Sequence, residues 1–252
     1  MRAMILAAGL GTRLRPLTEN RPKALVEVGG RTLLEITLAR LRSFGITDVI
    51  INTHHFAEMV REYLESNKNF GMNIAISHEE ILLDSGGGLK KAAYFFLEKS
   101  ANSEEPFLLH NVDVVSTIDL GRMLQFHNEH QALATLAVQE RKTSRYLLFQ
   151  LDSELCGRQS GPDSTVEVVR PSKNVQALAF CGIHVISPHF LSMTTEEGAF
   201  SIITSYLRLA AQGQKLVGFR ADEYYWRDLG TPENVARAAE DLLQRVKIPH
   251  AL

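Results

Sequence analysis

Residues 6–28 read LAAGLGTRLRPLTENRPKALVEV. The apolar run 3–8 that leads into them reads as a short buried strand, ended by Gly9. Gly9 and Gly11 let backbone N–H groups approach an oxyanion closely. Arg13, Arg15, Arg21 and Lys23 then add fixed positive charge, while Pro16 and Pro22 keep the segment out of a helix until about Thr32. A strand, a glycine turn and a cationic loop, in that order, predict an anion-binding loop at the end of the first strand of an α/β sheet.

The pattern continues outward from there. Thr32 and Glu35 form a capping box, Leu34, Leu38 and Leu41 recur at helical spacing, and Gly45 stops the helix. Apolar strands follow at 48–52, 73–77 and 107–110, and helices at 56–64 and 89–97, the latter entered through a glycine loop at 85–88. Alternating strands and helices give a mostly parallel sheet with helices on both faces. The second half changes character. Residues 132–139, 146–151, 165–169 and 177–186 are strand-like and closely spaced, so they pair antiparallel, and the polar stretch 153–164 reads as a surface loop. A helix at 201–212, a strand at 215–220 and a closing helix opened by Thr231-Pro232, with Val235, Ala239 and Leu242 on one face, complete the chain. The fold class is a Rossmann-like three-layer α/β domain: a mixed, mostly parallel central sheet with an antiparallel extension. It reads as a single domain, 1–252, with halves at about 1–130 and 131–231 and a closing helix and tail at 232–252.

Net charge is −2 with 45% hydrophobic residues. No basic surface argues for nucleic acid, so any anion site is a local concentration of cations. Cys156 and Cys181 lack metal-ligand spacing and fit a reduced compartment. The first apolar run is too short to cross a membrane, and no cleavage site of signal type follows it. A soluble, cytoplasmic monomer or homodimer without a membrane partner is expected.

Three phosphate motifs compete for residues 9–23. The dinucleotide fingerprint needs a third glycine, where this chain has Leu14, and an immediate helix; the Walker A pattern needs Gly-Lys-Ser/Thr, which is absent. What remains is a long loop wrapping a nucleoside triphosphate. The sequence Gly9-x-Gly11-Thr12-Arg13, followed about nine residues later by Pro22-Lys23, resembles the signature of the sugar-1-phosphate nucleotidyltransferases. The likeness continues through Ser85-Gly86-Gly87-Gly88, His110-Asn111-Val112-Asp113, Phe180-Cys181-Gly182-Ile183 and Trp226-Arg227-Asp228-Leu229-Gly230-Thr231, in order along nearly the whole chain.

The resemblance implies Mg²⁺-dependent transfer of a nucleotidyl group from an NTP to a sugar-1-phosphate. Ala8, Gly9, Gly11, Thr12, Arg13, Lys23, Gly87 and Gly88 would bind nucleotide, with Arg13 and Lys23 acting on the reacting phosphates. Asp113 and Asp228 would hold Mg²⁺, and Asn111, Arg170 and Gly182 would meet the sugar phosphate. There are two departures. Val112 stands where glycine is usual, and Val169-Arg170-Pro171 stands where Glu-Lys-Pro is common. Pro171 ends the strand and is expected to free Arg170 to turn inward. No C-terminal hexapeptide-repeat helix is present, so only the transferase step is implied. The nucleophile is already an anion near neutral pH, so no general base is needed; the demand is to align two anions and neutralise the leaving group.

Other polar groups carry less. His127 and His130 have helical spacing and read as an exposed helix face, His54-His55 as a loop pair, and Glu79, Glu80 and Asp84 stay unassigned near the expected base. The triple glycine leans the reading toward UTP and an N-acetylmuramate- or N-acetylhexosamine-type 1-phosphate. GTP-dependent mannose- or heptose-1-phosphate transfer and a phosphocholine-type cytidylyltransferase are the enzyme alternatives. A silent NDP-sugar-binding regulator is disfavoured by Lys23, Asp113 and Asp228 together.

Overall fold

The structure is a computed structural model, and it describes residues 1–97, 104–161 and 165–243. The elements, in order, are β1 (Ala3–Leu6), β2 (Glu27–Val28), β3 (Arg31–Thr32), α1 (Leu33–Ser43), β4 (Asp48–Thr53), α2 (Ala57–Ser66) and β5 (Asn73–His78). Next come α3 (Asp84–Lys91), α4 (Ala93–Leu97), β6 (Phe107–Asn111), β7 (Val114–Ser116), α5 (Leu120–His130), β8 (Ala134–Gln139), β9 (Arg145–Gln150) and β10 (Leu155–Ser160). The last are β11 (Thr165–Val168), β12 (Val175–Ile186), α6 (His189–Met193), α7 (Ile202–Ala211), β13 (Leu216–Arg220), β14 (Trp226–Asp228) and α8 (Pro232–Leu243).

The main sheet runs β11-β10-β9-β12-β6-β1-β4-β5, with β8 beside β12 and β13 beside β8. From β6 through β1 and β4 to β5 every pairing is parallel; from β6 through β12 outward to β11 every pairing is antiparallel. This is the expected mixed sheet, parallel through the nucleotide-side strands. Alternation along buried strands sends side chains to opposite faces. Ile5, Val49, Ile51 and Leu108 join one core with α1, α2 and α8; Met4, Ile50, Phe107 and Leu109 join the other with α4, α6 and α7.

Local chemistry explains the element ends. Thr32 caps α1 by accepting from the Glu35 N–H at 3.1 Å. The return half of the capping box is not made, because the Glu35 carboxylate takes the Arg31 Nε at 2.7 Å instead. Strand β12 changes partner at Gly182, whose φ of 73° sits at the irregularity between Phe180 and His184. A Cβ there would lie 2.8 Å from Asn111 Nδ2, so glycine is needed both for conformation and for room.

Three expectations are corrected. The stretch 153–164, expected as a loop, contains a strand: Leu155–Ser160 is β10, paired antiparallel with both β9 and β11, while 162–164 lie outside the described residues. Its inner residues, Leu155 and Cys156, are buried while the outer end is half-exposed, which hides the strand behind a polar composition. The glycines 86–88 do not form a loop but lie within α3, and α4 follows as a separate short helix. His127 is buried and faces Thr135, with Nδ1 3.0 Å from the hydroxyl, rather than lining an exposed helix face. The side chain of Leu242 and the tail 244–252 lie outside the described residues. Among the described residues, no helix is long and apolar enough to cross a membrane.

Candidate active site

The opening loop leaves β1 at its C-terminal end. Gly11, at φ 65°, starts a single helical turn at Thr12–Leu14 that sinks Leu14 into the core. Thr18 donates its hydroxyl to the Gly11 carbonyl at 2.8 Å, and a Cβ on Gly11 would touch the Thr18 methyl at 3.0 Å. A second turn, Lys23–Leu25, then buries Ala24 and Leu25 while Lys23 stays half-buried. The cationic loop is thus pinned by apolar anchors, and its charges are free to face the strand ends. Thr12 and Gly9 are exposed on it.

Two cavities meet at these strand ends. The smaller, about 420 Å³, is lined by Ala8, Gly9, Lys23, Asn111, Val112 and Asp113, with Leu82, Asp84 and Ser85 across from them. Its floor is a buried polar pair. Asn52 accepts from the Ala7 N–H at 2.7 Å and donates to Glu79 at 2.7 Å, while the other Glu79 oxygen accepts from the Leu83 N–H at 2.9 Å. Glu79 is fully buried and therefore binds the loop after β1 to the start of α3. Gly88 exists for this contact: a Cβ there would lie 2.7 Å from Glu79 and 2.8 Å from Asn52. Gly86 and Gly87 likewise face Phe200 and the Gly198 carbonyl. The Gly86 and Gly87 N–H groups both donate to the Phe200 carbonyl, at 2.9 and 3.3 Å. Gly87 and Gly88, expected to touch nucleotide, therefore serve the packing of α3, and Asp84 and Ser85 take the cavity wall.

The larger cavity, about 770 Å³, holds Arg13, Asn111, Gly182, Trp226 and Asp228. Asn111 lines both cavities and so marks where they join. The two aspartates expected at a metal come together although far apart in sequence. β14 pairs with β7 so that Asp228 opposes Val114, and the Leu229 N–H donates to the Asp113 carbonyl at 2.7 Å. Lys23 forms an ion pair with Asp113. Burial, and then the charge of Asp113, raise the Asp228 pKa; the Gly230 N–H, Lys23 and Arg13 oppose that shift. The Gly230 N–H donates to Asp228 at 2.7 Å, and Arg13 Nη2 lies 2.9 Å from where a Gly230 Cβ would stand. Arg13 thus sits beside Asp228 rather than in the smaller cavity.

Two carboxylates brought side by side supply hard oxygen donors, the donor chemistry a divalent cation such as Mg²⁺ suits. Among the described residues no group of three or more His, Cys, Asp or Glu side chains could hold a metal. The remaining oxygens would therefore come from substrate phosphates and water.

Arg170 is not brought to either cavity. It forms an ion pair with Glu154, and its backbone N–H donates to the Cys156 carbonyl at 3.1 Å. The strand ends as expected, but the turn between β9 and β10 supplies a carboxylate that holds the guanidinium away. Among the cations that do line the larger cavity is Arg141, whose Cζ lies 3.7 Å from the centre of the Trp226 ring. Sequence reasoning missed it. The run Arg141-Lys142-Thr143-Ser144-Arg145 carries a local cation signal, but only the Trp226 stack separates Arg141 from an ordinary solvated turn.

A three-layer α/β fold, with a glycine-started cationic loop and facing carboxylates at its strand ends, defines a protein that binds phosphorylated ligands. The chain belongs to the nucleotidyl transferase family, whose model matches residues 2–245. It is 32% identical over 239 residues, covering 92% of each chain, to an N-acetylmuramate alpha-1-phosphate uridylyltransferase of Caulobacter vibrioides. It is 30% identical to mannose-1-phosphate guanyltransferase beta-A of Xenopus laevis, across 99% of this chain and 67% of that one. The fold superposes on HddC from Yersinia pseudotuberculosis, solved with GMP-PN, at a TM-score of 0.74 and 20% identity, covering 96% of this chain and 99% of the other.

Proposed function

We propose that this protein joins a nucleoside triphosphate to a sugar-1-phosphate, giving an NDP-sugar and pyrophosphate. The substrates are UTP and an N-acetylmuramate- or N-acetylhexosamine-type 1-phosphate. The observation that carries the reading is the Lys23–Asp113 ion pair beside Asp228, set where two cavities share Asn111. The smaller cavity takes the nucleotide, with the loop from Ala8 to Lys23 along its phosphates. The larger takes the sugar, and Gly182 leaves it room. A phosphate oxygen of the sugar attacks the α-phosphorus, and the bond to the pyrophosphate oxygen breaks.

Lys23 turns from Asp113 to the α-phosphate when substrate enters, and offsets charge there. Arg13, held beside Asp228, meets the second anion. Asp113 and Asp228 would hold Mg²⁺, which when bound would neutralise phosphate charge at the same point. Neither cavity needs a general base, because both reactants are anions before they meet. The uridylyl reading is supported by the Caulobacter relative, which matches along 92% of both chains. The guanylyl alternative keeps the 30% likeness to the Xenopus enzyme.

Pyrophosphate release tests the reading. UTP, GTP, CTP and dTTP are each offered with the 1-phosphates of N-acetylmuramic acid, N-acetylglucosamine and mannose. Release with UTP and an N-acetylated acceptor is expected. Release confined to GTP with mannose-1-phosphate would replace this assignment by the guanylyl one, and no release with any pair would remove the transferase.

A further inference from the structure

We propose that the acceptor sugar carries a second anionic group, a carboxylate, and that Arg141 is the residue that receives it. The inference rests on the sugar-phosphate reading of the larger cavity and adds the class of sugar. Charge in that cavity is out of proportion to one phosphate. Arg13, Arg141, Lys142, Arg145 and Arg227 all line it, against Asp228 as its only acid. Arg227 is neutralised by Asp241. Arg13, Arg141, Lys142 and Arg145 form no ion pair among the described residues. The reacting phosphates account for Arg13 and Lys23, which leaves three cations over.

Arg141 differs from the other two. Lys142 and Arg145 are exposed, whereas Arg141 is half-buried and its guanidinium lies on the Trp226 ring. Nη2 donates to the Phe180 carbonyl at 2.7 Å, which fixes one corner of the fork. Trp226 is itself fixed, its indole N–H donating to the Cys181 carbonyl at 2.7 Å. Burial lowers the Arg141 pKa even though Asp228 lies close enough to raise it. A partly desolvated cation without an ion-pair partner is costly unless a ligand pairs with it. A neutral sugar hydroxyl would not offset that cost. A carboxylate would, because its two oxygens match the planar fork that the indole holds in place.

The chain has one tryptophan, so its fluorescence reports this site directly. The full chain, without NTP, is titrated with N-acetylmuramic acid 1-phosphate and with N-acetylglucosamine 1-phosphate, which lacks the carboxylate. The acid is expected to bind about tenfold or more tighter, the usual scale for one charge-assisted contact. Arg141→Gln should abolish that preference, and Arg141→Lys should restore part of it. Equal affinities in the parent chain, failure of both to bind, or a preference that survives Arg141→Gln would each overturn the proposal. Pyrophosphate release is scored separately. Release with both acceptors but no binding preference would sink this inference alone, and a preference without release would sink the transferase alone.

Discussion

The two halves of the sheet do different work and left different traces in the sequence. In the parallel half, β5-β4-β1-β6, the three inner strands β4, β1 and β6 are buried on both faces and their loops emerge at one end of the sheet. The glycine-started cationic loop, Asn52 and Asp113 all lie at that end, so each follows from where a strand ends. In the antiparallel half, β11 is exposed along its whole length and β12 shifts partner at a bulge. There the direction of a side chain depends on register and on the neighbour that captures it. A parallel sheet therefore places its chemistry by topology, and an antiparallel extension places it by individual contacts.

The sharpest way to break that comparison is Lys23→Ala. Ala24 and Leu25 bury themselves to anchor the turn, and the Lys23 charge faces Asp113. Turnover in pyrophosphate release should fall about a hundredfold or more, while the melting temperature stays nearly unchanged. Near-parent turnover would detach the parallel half's loop from the chemistry.

A second effect belongs to the seam between the halves. His110 on β6 and His184 on β12 sit in adjacent registers, both fully buried. Burial lowers His110 to about 4 and His184 to about 3, with His110 adding to the latter shift, and lowers His127 to about 4. All three are neutral in the folded protein near pH 7. In the unfolded chain they protonate near 6.5. As pH falls below that value the unfolded state binds protons that the folded state refuses, so stability drops until the folded pKa values are reached. Each histidine should remove about 2 kcal/mol by pH 5. Urea midpoints at pH 7 and pH 5 check this; equal midpoints would mean the seam admits protons or water.

The smallest effect should come from Arg170→Ala. Its pair with Glu154 is partly solvated and lies on the outer strands. A stability loss of about 1 kcal/mol or less is expected, with the KM for sugar-1-phosphate unchanged. A several-fold rise in that KM would return Arg170 to the acceptor site.

Much of this molecule was legible in its sequence for physical reasons. Asp113 and Asp228 were readable as a pair because one stands in the turn after β6 and the other ends β14, each inside its own motif. Gly182 was readable because only glycine fits its backbone. The triple glycine was legible as a place of close approach but not of approach to what; within α3 it approaches Glu79, Asn52, Phe200 and Gly198. Arg141 was invisible because its distinction is a contact with Trp226, far along the chain. Residues 155–160 were hidden because an outer strand with one wet face has a loop's composition.

The central claim is that one site is shared by Asp113, from the end of β6, and Asp228, from β14. A double-mutant cycle of Asp113→Asn and Asp228→Asn, read as kcat/KM for pyrophosphate release, tests it most directly. Residues that act as a unit are strongly non-additive. The account predicts that either single variant loses nearly as much activity as the double. Losses that simply multiply would show two independent groups and contradict it.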